Sequence, residues 1–366
     1  MKKNALLLLL LAAVGTGMLS CKKQGEKTIA ADPSKNELAL LASTPCGCWI
    51  GCCNQQNNTI EVYDPAVYYW DDASALKWSF KPSTSRGYSD YEISLWNGGP
   101  AALKLRNTTA FSGTTQAIVT AAGQLATIAA YPSGNKIWVM GYAASPAVSI
   151  HSAELLPNGN IALASADRNW VRVYSSSQPV PNHDKFGEFP LGSAHAVLWD
   201  PTYNRLWVTG WLPINSNNYW DPLNQVLTAL IVTDSAGYPR LAEDASKRAI
   251  LPGKYGHDVY PVYYDVNKLW VTVNVDNADN TKGTYIYDKL SKTFTPAPGA
   301  ANRNFVKSIG NQPSGQIVEL RPENAETGAW VNDSVSFYNN DGSYHTSRFK
   351  TGAKFYKARV FSPDYQ

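Results

Sequence analysis

Most of the short patterns that announce a chemistry are missing from this chain. It has no Gly-rich phosphate loop and no Gly-x-Ser-x-Gly elbow, which removes the usual sequence grounds for nucleotide binding and for serine hydrolase chemistry. No His-x-His or His-x3-His pair is present, so a metal site would have to be assembled from distant residues. Long helical periods are absent, which argues against an α-rich fold. The longest apolar run, Ala5–Val14, is ten residues, about half of the roughly 20 needed to span a bilayer. Charge of one sign is not in excess either: of 32 basic residues, Lys2 and Lys3 fall in the N-terminal leader, which leaves 30 against 29 acidic ones. A near-neutral body gives no electrostatic footing for nucleic acid, and none is expected as a partner.

What is present begins at the N-terminus. Lys2 and Lys3, the apolar run, and Met18-Leu19-Ser20-Cys21 have the order of a secretion signal: a basic start, a short hydrophobic segment and a cleavage site. Ser20 before Cys21, followed by Lys22-Lys23, resembles the lipobox of Bacteroidota lipoproteins, and that resemblance implies a lipidated Cys21 as the mature N-terminus. Residues 1–20 are then a lipoprotein signal peptide. Residues 21–45, rich in Lys, Ser, Ala and Glu without a sustained period, are expected to form a lipidated flexible tether, and residues 46–366 a single domain. The expected location is the outer membrane, through the lipid anchor, with the domain facing the periplasm or the cell surface.

The rest of the chain is periodic. AALKL with Lys104, VSIHSAEL with His151, GSAHAVLWD with His195, YGHDV with His257, NFVKSI with Lys307 and FYKAR with Lys357 follow one another at gaps of 47, 44, 62, 50 and 50 residues. That period suits a propeller blade. After each of the middle stretches come a polar turn and alternating β-branched or aromatic runs, as in SIHSAELL, the turn Pro157–Asn160, IALAS and NWVRVYS. Twelve Trp and 21 Tyr fit strands and carbohydrate-facing surfaces alike. Five units of four strands can be read in this way. The runs WIGCC, TIEVY and LKWSF near the start lack a first strand, whereas FYKARVF at the other end is a first strand with nothing after it. Joined, they complete a sixth unit. The expected fold is all-β: a six-bladed β-propeller of four-stranded antiparallel blades, closed by pairing the C-terminal strand with the N-terminal blade, which removes exposed sheet edges. A monomer is expected.

HSAELLPNGNIALAS, VRVY, AHAVLWDPTYNRLWV, GHDVYPV and the late YKAR together resemble an uncharacterised family of six-bladed propeller proteins, a domain of unknown function, over nearly the whole mature chain. The resemblance implies the fold and no activity. Propellers host hydrolases, lyases, lactonases and pure binding modules, so the fold leaves function open.

Because the innermost strand of each blade lines the central channel, Lys104, His151, His195, His257, Lys307 and Lys357 are expected to converge on one axis as a ligand-binding ring. Three roles are open to it. The side chains can hold the channel together by hydrogen-bonding neighbouring inner strands, as buried polar groups must. His151, His195 and His257 can ligate a divalent metal through neutral imidazoles, with Asp258, Glu154 or Gln316 completing the shell; this would suit a metal-dependent lyase or hydrolase acting on acidic saccharides. The lysines, with Arg359 and the histidines, can instead form a cationic pocket for a small anionic or sugar-like ligand, and binding is the leading expectation. A protein-interaction scaffold that works through the blade loops is the further alternative.

Cys46, Cys48, Cys52 and Cys53 form a C-x-C-x3-C-C run for which disulfides, reduced strand thiols and metal binding are all open. Cys52 and Cys53, adjacent on a strand, should face opposite ways. His183 and His345 are read as solvated. Pro213–Gln225, rich in Asn with Tyr219 and Trp220, is the longest insertion, and its composition suits sugar recognition and an ordinary loop alike.

Overall fold

Each expected β-branched or aromatic run forms a strand, and each Asn- or Gly-bearing junction forms a turn. In the turn Pro157–Asn160, Gly159 has φ of +88°, a left-handed conformation that glycine adopts without a steric penalty. The computed structural model describes residues 48–142, 148–175, 184–214, 221–235 and 237–365. Its strands build six antiparallel four-stranded sheets. The inner strands are Pro100–Asn107 in blade 2, Ile150–Leu155 in blade 3, Gly192–Asp200 in blade 4, Gly253–Pro261 in blade 5 and Ser308–Asn311 in blade 6. In the closing blade the inner strand is Phe355–Val360, followed outward by Ile50–Asn54, Thr59–Tyr63 and Leu76–Phe80.

The closure is antiparallel, with Ile50 opposite Val360, Gly51 opposite Arg359 and Cys52 opposite Ala358. Its core is aromatic. Tyr63 stacks on Trp70 with ring centroids 4.5 Å apart, and Phe355 meets both edge-on at 6.1 and 6.0 Å. A polar latch reinforces it: the buried Asn54 side chain donates through Nδ2 to Glu61 Oε2 at 2.9 Å, and its Oδ1 accepts the backbone N–H of Lys354 at 3.2 Å. Between blades, apolar side chains from facing sheets form continuous clusters, such as Leu198, Trp207, Val259 and Tyr287 between blades 4 and 5.

The outermost strand of blade 4, Tyr238–Ile250, and the short helix Asp90–Leu95 between the closing blade and blade 2 have no counterpart in the sequence reading. That strand has little apolar alternation because it is the solvated edge of its sheet. Ion pairs, Arg205 of the second strand with Asp244 and Arg248 with Glu243 of the same outer strand, take the place of apolar packing there. The helix starts at a capping box, Ser89 with Glu92, and buries only Leu95, so a hydrophobic period could not reveal it.

Phe355→Ala should lower unfolding free energy by about 3–5 kcal/mol, the range for emptying a large aromatic site. Tyr344→Ala on the exposed outer strand of blade 6 should change it by less than about 1 kcal/mol. Urea denaturation of both variants checks whether closure carries the difference.

Candidate functional site

Side chains two apart on a strand share a face, so Lys104 with Arg106, and Lys357 with Arg359, point the same way from their inner strands. The cross-axis contacts place both pairs in the channel. Lys104 Nζ donates to Ala153 O of blade 3 at 2.7 Å and to Val197 O of blade 4 at 2.8 Å. Lys357 Nζ donates to His151 O and to Asp258 Oδ1, both at 3.4 Å. Five of the six ring residues sit on inner strands, and Lys307 immediately precedes the sixth, Ser308–Asn311. The ring expected from the spacing is therefore assembled, and it divides into two layers.

The deeper layer is a network of paired charges. Arg106 makes a bidentate pair with Glu154, Nε to Oε1 at 2.9 Å and Nη2 to Oε2 at 3.0 Å, all of it buried. Arg359 donates to Asp258 Oδ1 at 2.5 Å. Lys104, Lys357 and both pairs are buried. Burial by itself would raise the Glu154 and Asp258 carboxyls, but Arg106 and Lys104 beside the first, and Arg359 and Lys357 beside the second, hold both below the usual range. Desolvation pushes Lys104 down to about 7 in spite of Glu154. At the far end of the channel the segment Ser362–Tyr365 lies over this layer. Arg106 Nη1 donates to Asp364 O at 3.1 Å and its guanidinium lies 4.5 Å from the Tyr365 ring centroid, while Tyr365 OH donates to Leu155 O at 2.6 Å.

The other layer, at the opposite end, holds the histidines. The rings of His151 and His195 are 4.5 Å apart and edge-on, and those of His195 and His257 are 5.1 Å apart. His151 Nδ1 lies 3.3 Å from Ser149 O, and His195 Nδ1 lies 2.8 Å from Ser193 O. His257 Nε2 is 3.1 Å from Tyr356 OH. Burial, then the charge of Lys357, brings the His151 imidazole to about 4. Burial, then His151, brings His195 to about 3. Burial, then Lys307, pushes His257 well below its ordinary value. All three are neutral at pH 7. Lys307 is half-buried, and burial together with Lys357 lowers it to about 8. Two buried atoms of the channel have no protein partner among the described residues, His257 Nδ1 in this layer and Asp258 Oδ2 in the deeper one. A surface cavity of about 210 Å³ between blades 5 and 6, lined by Val262, Trp270, Asn311 and Ile317, lies beyond the other end of the inner strands and shares no residue with the ring.

Among the described residues no group of three His, Cys, Asp or Glu side chains is arranged to hold a metal ion. The three imidazoles pack ring against ring. Of the residues expected to complete a metal shell, Glu154 is taken by Arg106, and Gln316 pairs with Gln312 at 2.9 Å in the turn beyond the far end of its inner strand. Only Asp258 has an oxygen to spare. Cys48 is in a disulfide, while Cys52 and Cys53 are free buried thiols. They pack into different clusters, Cys52 with Tyr63 and Cys53 with Ile60 and Phe80, as opposite strand faces require. His345 is exposed on an outer strand. His183 and residues 215–220 of the Pro213–Gln225 insertion lie outside the described residues, as do Cys21 and Cys46. Sequence reading did not single out Arg106, Tyr356 or Tyr365. Arg106 was accessible through its two-residue offset from Lys104, but the other two carry no periodic signal.

The model of a family of unknown function, DUF6528, matches residues 75–364. The chain belongs to this family. Among solved structures, the fold is similar to that of a protein of unknown function from Bacteroides caccae, 11% identical, with a TM-score of 0.53, the match covering 86% of this chain and 98% of that one. At that identity the likeness extends to the fold alone. No curated protein matches this DUF6528 member.

Asp258→Asn leaves Arg359 and Lys357 buried without a countercharge and should cost about 3–5 kcal/mol in urea denaturation, the range for breaking a buried pair. The histidines set a pH dependence. Their folded-state values are depressed, so below about pH 6.5 the unfolded chain takes up protons that the folded chain refuses, and stability falls with pH through that window. Denaturation at pH 7, 6 and 5 should show this loss, and His195→Phe should reduce it by about 2 kcal/mol at pH 5.

Proposed function

We propose that this propeller binds a small anionic ligand at the histidine end of its channel, as the binding domain of a lipoprotein anchored through Cys21 to the outer membrane. One observation carries the reading. The channel gathers five cationic side chains, Lys104, Arg106, Lys307, Lys357 and Arg359, against two buried carboxylates, Glu154 and Asp258. The two carboxylates are engaged by Lys104, Arg106, Lys357 and Arg359, so the charge left over is that of Lys307. Among the described residues no carboxylate or carbonyl lies within hydrogen-bonding distance of its Nζ, although it is half-buried. A cation held partly out of water without a counterion is destabilising on its own and becomes favourable when an anion enters. Low dielectric around the channel strengthens that attraction. The far end is covered by Ser362–Tyr365, which leaves the histidine end as the entrance.

The anchoring half of the reading is supported by the N-terminal signal pattern and by the Ser20-Cys21 junction. The test of the binding half is thermal unfolding of the protein across a panel of carboxylates, sulfate and phosphate. A ligand present at a hundred times its Kd should stabilise the fold by about 2.7 kcal/mol. Lys307→Met should abolish the anion-induced shift while leaving the melting temperature without ligand equal or higher, because a desolvated ammonium has been removed. An unchanged shift in Lys307→Met, or no shift with any anion, refutes the proposal.

A further inference from the structure

The hydrogen-bond directions at the histidine end restrict what kind of anion fits. A backbone carbonyl can only accept, so the contacts of His151 Nδ1 with Ser149 O and of His195 Nδ1 with Ser193 O place the single proton of each neutral ring on Nδ1. Each Nε2 then offers a lone pair, and neither has a protein partner among the described residues. Lys307 is the one cation at this end without a partner among the described ring residues, and it is close enough to His151, His195 and His257 to lower the basicity of all three. The site thus presents one cation and two acceptors.

A bare oxyanion such as sulfate satisfies the cation but turns its own lone pairs toward the acceptors. A neutral sugar satisfies the acceptors but leaves the cation without a partner. We propose that the ligand is a polyhydroxylated carboxylate, an acidic sugar, whose carboxylate pairs with Lys307 and whose hydroxyls donate to His151 Nε2 and His195 Nε2. This rests on the anion-binding reading above and narrows it to one chemical class. Leaving a ligand hydroxyl without its acceptor, or an acceptor without its donor, carries the full desolvation penalty, which is why a site of this kind discriminates strongly between ligands with and without hydroxyls.

Isothermal titration of the full chain with D-galacturonate, D-galactose, acetate and sulfate separates the cases. The free acid and a uronate at the end of an oligosaccharide share this chemistry, and digalacturonate as a fifth ligand tells them apart. Galacturonate or digalacturonate should bind about tenfold or more tighter than acetate, galactose or sulfate, the equivalent of two neutral hydrogen bonds. His151→Phe/His195→Phe should weaken the uronate by about tenfold and acetate by much less, whereas Lys307→Met should remove both. Should the double variant not fold, ¹⁵N chemical shifts of the imidazoles in the unmutated protein decide: Nε2 of His151 and His195 should read as an unprotonated acceptor and move on titration with the uronate. Sulfate or acetate binding as tightly as the uronate, or Nε2 resonances that carry the proton or do not move, overturns the acidic-sugar proposal and leaves anion binding standing. No binding by any anion overturns both.

Discussion

The antiparallel pairing of Phe355–Val360 with Ile50–Asn54 is the interaction on which the rest of the molecule depends. It closes the ring by joining Phe355–Val360 to Ile50–Asn54, Thr59–Tyr63 and Leu76–Phe80 as one four-stranded sheet. It also delivers Lys357 and Arg359 to the axis. Without them Asp258 would be a buried carboxylate with no ion-pair partner, and its ionised form would be strongly disfavoured there. The aromatic core of Tyr63, Trp70 and Phe355 and the Asn54–Glu61 latch hold that strand in register. Register matters because a slip of one residue would turn Lys357 and Arg359 away from the channel and into an apolar cluster.

The channel shows competition between desolvation and pairing in a confined space. Deep inside, guanidinium groups meet carboxylates in short geometry, Arg106 with Glu154 and Arg359 with Asp258, and the pairing outweighs burial, so the charges persist. The lysines illustrate the other side. Lys104 gains two carbonyls and a carboxylate 3.6 Å away, yet desolvation still brings it to about 7. Of the ring residues, then, Lys104 and Lys357 act chiefly as cross-channel ties between blades, the packing role that was one of three open to them. The imidazoles at the other end have given up their charge altogether, and that exchange of charge for a lone pair is what gives the entrance its acceptor character.

Much of the architecture was legible before any coordinates. The strand runs WIGCC, TIEVY, LKWSF and FYKARVF could be joined into one blade because the strand count repeats from blade to blade: three strands without a first one complement a first strand without followers. The spacing of Lys104, His151, His195, His257, Lys307 and Lys357 identified the inner strands for the same reason. The outer strand Tyr238–Ile250 stayed hidden, since a solvated edge needs no apolar alternation. The covering segment Ser362–Tyr365 stayed hidden too, since its contacts with Arg106 and Leu155 join residues with no regular spacing.

By itself, then, the sequence determined which side chains face the axis, because alternation along a strand and recurrence between blades are both periodic and periods are visible in one dimension. Only the tertiary structure decided what those side chains do there. Whether a lysine meets two carbonyls from other blades, as Lys104 does, or meets none, as at Lys307, depends on distances of about 3 Å across the channel. The proton position on His151 and His195 likewise depends on which backbone oxygen lies beside Nδ1. Such contacts are set by how six sheets pack around an axis, and no local pattern in the chain encodes them.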